Sequence, residues 1–194
     1  MSGFSLRPLD CPSCGAGLAA EGEDLVFYCT ACRNGYRLAQ PAAALEKVEV
    51  AFLALAGKQA SRYLPFWVLP ARVKISDRSG RGPAVSQLLR AEQGDFAIPA
   101  FTTSLNRAVG LAARYTRELP RLGERLGERL TGGSLRVEDA RTLARFALVE
   151  AEANLGDTLK SLAFEVDFGE PRLLGVPFVG ESGREADAFF GLPA

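Results

Sequence analysis

Four cysteines constrain the fold of this chain more than any other feature. They are its only cysteines, and they form two CxxC pairs, Cys11 with Cys14 and Cys29 with Cys32, with 14 residues between the pairs. Each CxxC pair lets two thiolates converge from one tight turn. Gly15 and Gly35 are expected to supply the backbone freedom that the two turns need. The spacing predicts one closed metal site with four thiolate ligands, in which the ion stabilises the fold and takes no part in chemistry.

Disulfides, a redox CxxC motif and iron are the competing interpretations of these cysteines. Residues 1–12 lack the apolar stretch of a signal peptide, so we expect a cytoplasmic chain, in which paired CxxC motifs bind metal more often than they form disulfides. Redox CxxC motifs accompany a βαβ pattern, whereas residues 25–29 read as a strand that runs into the second pair. Zinc is favoured over iron, although four thiolates suit both metals.

Residues 11–38 resemble the zinc ribbon family, on the motifs CPSCG at 11–15 and CTAC at 29–32. The resemblance implies a β-hairpin and one structural zinc ion held by Cys11, Cys14, Cys29 and Cys32. Zinc ribbons occur in transcription factors, RNA polymerase subunits, ribosomal proteins, helicases and adaptors, so the resemblance predicts a fold and no particular activity. The chain also resembles uncharacterised bacterial proteins in which a ribbon precedes a strand of the type YLPFW, here residues 63–67, and this second resemblance implies an architecture only.

Length and composition predict two domains. The 194 residues, of which 47% are hydrophobic and 24% charged, suit a globular α+β protein with a zinc ribbon at residues 1–40 and a mixed domain at 45–194. We expect antiparallel strands and amphipathic helices in the second domain. The longest apolar stretches, residues 50–56 and 63–71, are much shorter than the roughly 20 residues that cross a membrane, so no membrane span is expected.

The pattern of apolar residues predicts the elements of the second domain. Strands are expected at 71–75, 95–101 and 159–168, and helices are expected to begin at Leu105 and at Val137. Residues 172–179 should be the hairpin partner or neighbour of the strand before them, with a turn at 169–171. Pro177 predicts an edge position for that strand. The aromatic residues of the YLPFW segment are expected in the core.

A repeat of period four at residues 121–130 predicts a further helix that ends at Gly132-Gly133. Its leucines would form one stripe, although each of two glycines costs about 1 kcal/mol relative to alanine. A second stripe could bind phosphates or carboxylates, and it consists of Arg117, Arg121, Arg125 and Arg129. Pairing with glutamates three residues away favours a solvated face instead.

The charge distribution bears on possible partners. The chain has 23 basic and 23 acidic residues, but residues 63–137 carry 12 basic against 6 acidic ones. An overall pI near 6.4 argues against a dedicated nucleic-acid-binding protein, for which a pI above about 9 is usual. Nucleic-acid binding therefore stays an alternative, in which Arg33 and Arg37 of the ribbon act with this basic region.

Catalysis has little support in the sequence, because the chain has no histidine and its four cysteines are assigned to a metal. Two carboxylate pairs remain, Glu165 with Asp167 and Glu150 with Glu152, and solvated charge is the usual role of such pairs. The sequence therefore favours a non-enzymatic, zinc-binding adaptor or assembly component in a bacterial cytoplasm. Its expected partner is another protein or a second copy of itself.

Overall fold

The computed structural model describes residues 9–39, 44–55, 60–78, 93–123, 129–153, 161–181 and 183–194. Within these ranges the chain forms nine strands and two helices. The strands are β1 (Val26–Tyr28), β2 (Gly35–Ala39), β3 (Ala44–Leu53), β4 (Arg62–Arg78), β5 (Gln93–Pro99), β6 (Leu122–Gly123), β7 (Leu162–Phe168), β8 (Arg172–Val179) and β9 (Ala186–Asp187). The helices are α1 (Leu105–Arg117) and α2 (Val137–Ala153).

The prediction of an α+β fold is wrong. The structure is mostly β, with 43% of the described residues in strands and 19% in helices, and the sheet is mixed. Its main order is β1-β2-β3-β8-β4-β5, in which β3 and β8 run parallel and the other neighbours antiparallel. The difference arises because residues 122–123, expected in a helix, pair with β3, and because the parallel pairing of β3 with β8 joins distant segments that carry no local signal in the sequence.

The 17-residue strand β4 organises the sheet. On one edge it pairs with β5, from Phe66 opposite Pro99 to Arg72 opposite Gln93. On its other edge β4 pairs with β8 through its first half and with β7 through its second half. Two prolines, Pro65 and Pro70, lie within the strand.

The predicted β7–β8 hairpin is wrong, because the two strands lie end to end along the same edge of β4. Val68 is opposite Arg172 and Ala71 is opposite Phe168, so the two registers differ by one residue and residues 169–171 form an irregularity between them. The predicted edge position of β8 is also wrong, since β8 lies between β3 and β4. Pro177 is tolerated there because the pairing of β3 with β8 stops at Gly175.

The predicted helix over residues 121–130 is wrong at its beginning. Leu122 and Gly123 are β6, which pairs antiparallel with Leu53 and Phe52 of β3. A Cβ at Gly123 would lie 3.1 Å from Ala54 Cα, so this glycine permits a close approach of two strands. Residues 124–128, with Arg125 and Leu126, lie outside the described residues. Arg117 ends α1 and Arg121 lies after it, outside any helix, so these two side chains do not share one helical stripe.

Both faces of β4 are buried over residues 63–69, which confirms the prediction that the YLPFW segment is core. Tyr63, Trp67 and Leu69 belong to one buried cluster, and Leu64, Phe66 and Val68 belong to a second cluster on the opposite face. The alternating direction of successive side chains in a strand explains this division. Trp67 is 1% exposed, and its Nε1 donates a hydrogen bond to the Leu135 carbonyl at 2.9 Å.

Helices α1 and α2 occupy the predicted positions. The α2 residues Ala140 and Ala144 are fully buried in the first cluster. Helix α1 contributes to both clusters, with Val109 in the first and Tyr115 in the second. Neither helix of the described chain is long and apolar enough to cross a membrane.

Candidate metal centre

The thiols lie at one end of the sheet, around the hairpin of β1 and β2. In this hairpin Val26 pairs with Arg37 and Tyr28 pairs with Gly35. Because side chains alternate along β1, Phe27 faces a small cluster with the cysteines, while Val26 and Tyr28 face the main core. Strand β2 also pairs with β3 over its full length. The hairpin is thus part of the large sheet, and the division into domains at residues 1–40 and 45–194 stays a prediction.

Two tight turns present the thiols. In the first turn Gly15 N donates to the Cys11 carbonyl at 2.8 Å, and in the second turn Arg33 N donates to the Cys29 carbonyl at 2.7 Å. Gly15 has φ of 73°, as its role in the turn predicts. In the second turn it is Arg33, with φ of 59°, that adopts the left-handed conformation.

The role predicted for Gly35 is therefore wrong. This residue is the first of β2, and a Cβ at its position would lie 3.2 Å from both the Val48 carbonyl oxygen and Val50 Cβ. Gly35 permits the close approach of β2 and β3, and it gives no conformational freedom to the turn.

All four thiols converge. Every pair of Sγ atoms among Cys11, Cys14, Cys29 and Cys32 lies within 4.8 Å, and the separation is 3.5 Å for Cys11 and Cys32 and 3.6 Å for Cys14 and Cys29. In a tetrahedron with Zn–S bonds of about 2.3 Å, the sulfur atoms are roughly 3.8 Å apart. The four cysteines that the sequence singled out could therefore hold one metal ion with little rearrangement.

Polar groups around the thiols form an outer shell that the sequence analysis missed. The Tyr36 hydroxyl donates to Ser13 Oγ at 2.6 Å and lies 3.2 Å from Cys11 Sγ. Asn34 Nδ2 donates to Cys32 Sγ at 3.3 Å. Such contacts orient ligands and adjust the affinity for a metal. Ser13 and Asn34 stand next to the cysteines in sequence, but the closeness of Tyr36 arises only when the hairpin closes.

The electrostatics of the thiols favour a cation. Burial opposes ionisation of Cys11, but contacts with the Tyr36 hydroxyl, the Ser13 and Cys14 amides and the Cys32 thiol lower its pKa to about 6. At Cys14 the Ala16 amide favours the thiolate, but desolvation and the other three thiols prevail and raise the pKa to about 12. Four thiolates in contact repel one another, and a bound cation would stabilise all of them.

The segment around Gly133 closes the outer edge of the hairpin. Its carbonyl accepts hydrogen bonds from Leu25 N at 2.6 Å and from Val26 N at 3.1 Å. Asp24, 9% exposed, accepts from Glu21 N at 2.8 Å and from Gly132 N at 3.3 Å, and burial raises its pKa. These bonds attach the thiol-bearing end of the sheet to the chain that leads into α2.

The other candidate residues lie elsewhere. Arg37 forms an ion pair with Glu46 across β2 and β3 at 2.9 Å, while Arg33 is exposed. The carboxylates of Glu165 and Asp167 are on exposed positions of β7, opposite Lys74 and Arg72 of β4. Glu150 is exposed on α2, and the side chain of Glu152 lies outside the described residues. The structure thus brings the four thiols together but does not bring these charged residues into one site.

No family model, curated protein or solved structure matches this chain. Its function is therefore inferred from the geometry of its own residues.

Proposed function

We propose that this protein binds one structural zinc ion and acts without catalysis, as an adaptor or assembly component that contacts another protein. The convergence of four thiols within 4.8 Å carries the proposal. An ion with Cys11, Cys14, Cys29 and Cys32 as ligands would have four protein ligands and no open position for water or substrate. Its role would be to hold the two turns of a zinc ribbon, residues 11–38, against each other.

Zinc is proposed over iron because the site needs only a stable tetrahedral ion, and no partner motif for electron transfer accompanies it in the sequence. The surrounding contacts suit this role. Tyr36 and Asn34 contact two of the thiols, and the hairpin is joined to β3 by a full ladder of pairs. An ion bound by four protein ligands at this place would give a rigid hairpin whose outer surface is available to a partner.

Exposed apolar side chains support a protein partner. Leu119 and Leu122 are 40% and 51% exposed, and both line a small depression that Val68 and Leu174 also line. On α2, Phe146 is 55% exposed. Exposed apolar groups that adjoin one another are typical of interaction surfaces. The partner would be a different protein or a second copy of this chain, in the cytoplasm.

Native mass spectrometry on protein prepared without added metal tests the first part of the proposal. We expect one zinc ion per chain, and the same spectrum gives the number of subunits. Protein that carries iron, or that is folded without any metal, would contradict a structural zinc site.

Pull-down from bacterial lysate, together with sedimentation of the purified protein, tests the second part. The Leu122→Asp variant should lose a partner or an oligomer that the unaltered protein has. Asn106→Asp is the matched control, because it adds the same charge at another exposed position. A monomer without any specific protein partner would contradict the proposal, and salt-dependent binding to DNA or RNA would indicate the nucleic-acid function instead.

A further inference from the structure

An open cavity of about 720 Å³ lies between the beginning of α1, the beginning of β4 and the segment that leads into β9. None of the four cysteines is among the described residues that line it. Its size falls in the range of small-molecule sites, roughly 300–1,000 Å³. The cavity is therefore a candidate binding site separate from the thiols.

Positive charge predominates in this cavity. Three arginines from three different parts of the fold line it, Arg62, Arg107 and Arg184, against one described acidic residue, Glu185. Arg62 Nε lies 3.2 Å from Glu185 Oε1, and Arg107 Nη1 donates to the main-chain oxygen of Ala194 at 3.0 Å. Arg184 is exposed and has no acidic group within 4.0 Å in the described part of the chain. Glu185 thus faces Arg62 and the Ala194 oxygen faces Arg107, which leaves Arg184 as the guanidinium group without a described acceptor.

Hydroxyl groups and the beginning of α1 add further donors. Thr103 and Ser104 line the cavity, and Ser104 occupies the N-cap position without a side-chain capping bond. The first turn of α1 contains no acidic residue, so its positive dipole end is not compensated by its own sequence. The hydroxyls of Thr102 and Ser134 are 2.8 Å apart and bond to each other. Thr103 and Ser104 are therefore the hydroxyls available to a ligand.

Apolar groups form the remaining wall, with Leu64, Phe101 and Pro193 beside the arginines. A tetrahedral dianion could use several donors at once, from guanidinium groups and hydroxyls, which a flat carboxylate would use less fully. We propose that this cavity binds a small organic phosphate monoester. Its phosphate would contact Arg107, Arg184 and the beginning of α1, and its organic part would pack on Leu64 and Phe101. This inference needs neither the metal nor a protein partner.

Phenyl phosphate is a suitable probe, because it joins a phosphate to one apolar ring. In an NMR titration of the full chain at constant ionic strength, we expect saturable shifts of the Thr103, Ser104 and Leu105 amide signals. Arg107→Gln and Arg184→Gln should each weaken binding at least about tenfold, as expected for loss of a hydrogen bond to a charged group. Arg117→Gln, at the far end of the same helix, should leave the affinity unchanged. Inorganic phosphate should bind at the same amides more weakly.

Three results would overturn the proposal. One is the absence of saturable binding to the unaltered protein. A second is equal weakening by Arg117→Gln, which would show attraction to positive charge in general. The third is equally tight binding of benzoate or phenol, which would show that the phosphate is not recognised. Because Arg184 is exposed, its substitution is not expected to disturb folding, and this variant alone is decisive if Arg107→Gln unfolds.

Discussion

The thiol-bearing end of the sheet and the region around β4 differ in how much side chain they bury. The first has a buried cluster of four residues, Cys11, Phe27, Cys29 and Tyr36. The second buries large side chains on both faces of the sheet, among them Phe66, Trp67 and Phe178. So few buried residues give little hydrophobic stabilisation, and small folds of this kind usually need a metal or disulfides. With the proposed ion bound, one end of the sheet would depend on that ion and the other end on packing.

Strand β1 connects the two regions, because its faces belong to different clusters. Phe27 packs near the thiols, whereas Tyr28 contacts the Phe52 ring of the main core, with ring centroids 5.1 Å apart. Phe52 in turn contacts the Tyr63 ring of β4 at 5.3 Å. Loss of the proposed ion should therefore act first on the turns, and damage to the main core should reach the hairpin through these rings.

The largest expected effect is that of Cys29→Ser, which removes one proposed ligand. The binding free energy of structural zinc in small peptides is about 10–16 kcal/mol, so the thiol-bearing turns should unfold when the ion is lost. Hydrogen exchange followed by mass spectrometry should show faster exchange in residues 11–38 and unchanged protection in β4 and β5. Chelation of the unaltered protein should reproduce this pattern. Equal loss of protection in both regions would contradict the idea that only the thiol-bearing end depends on the ion.

Trp67→Ala should act in the opposite direction, from the main core to the hairpin. Removing this buried ring should lower the free energy of unfolding by about 3–5 kcal/mol and leave Leu135 without its hydrogen bond. Denaturant unfolding, monitored by probes in the main core and in the hairpin, measures the change in the free energy of unfolding. Trp67→Phe is the control and should cost less, since it keeps most of the packing. A loss below about 1 kcal/mol would show that β4 is not the centre of stability.

Gly175→Ala tests the contact between the regions more finely. A Cβ at Gly175 would lie 2.5 Å from Phe52 Cε1, and Phe52 is held between Tyr28 and Tyr63. Overpacking of this kind costs about 1–3 kcal/mol. Thermal unfolding should show the loss. Gly17→Ala, whose Cβ would meet no atom within 4 Å, should leave the stability nearly unchanged, and an equal effect of both would argue against this packing.

Tyr36→Phe should weaken metal binding without disturbing the main core. Loss of a group that contacts a ligand typically reduces metal affinity by about 10–100-fold. Competition against a coloured chelator measures the zinc affinity. Tyr115→Phe is the matched control, because its buried hydroxyl bonds to Asp187 at 2.7 Å in the other region. Tyr115→Phe should lower global stability and leave zinc affinity unchanged. If Tyr115→Phe weakens zinc binding and Tyr36→Phe does not, the roles given to the two hydroxyls are wrong.

The smallest effect is expected for Arg33→Gly. A backbone φ of 59° is unfavourable for a residue that has a Cβ atom. Glycine at position 33 should therefore stabilise the second turn by about 0.5–1 kcal/mol. Thermal unfolding in the presence of metal would detect this gain. Thr30→Gly, in the same turn at a residue without positive φ, should destabilise it. A loss of stability in Arg33→Gly would show that its side chain has another role.

Sequence reasoning succeeded where the signal is local. The convergence of the four cysteines follows from two short motifs. The helix from Leu105 to Arg117 follows from apolar spacing that ends before Pro120. The alternation of exposed and half-buried side chains in β7 follows from the charged residues on its exposed face. Each of these features is determined by short motifs or by residue spacing within one element.

The failures involve pairing between distant segments. Nothing near β8 in the sequence shows that it pairs parallel with β3, more than 100 residues earlier. Gly169 and Pro171 resemble a hairpin turn, yet they form the irregularity between two collinear strands. At Leu122 the period-four pattern gave way to pairing with β3, where a glycine allows close contact. Tyr36 reaches the thiols only through this sheet geometry.

The position of β4 in the chain has a consequence for synthesis on the ribosome. Strand β8, which pairs with its first half, follows about 100 residues later. At about 5–20 residues per second, the apolar side chains of β4 wait roughly 5–20 s for that partner. Pro65 and Pro70 have no amide donor, which limits pairing with other nascent chains during the wait. We therefore expect the growing chain to need chaperones most in this interval, after β4 has emerged and before β8 is made.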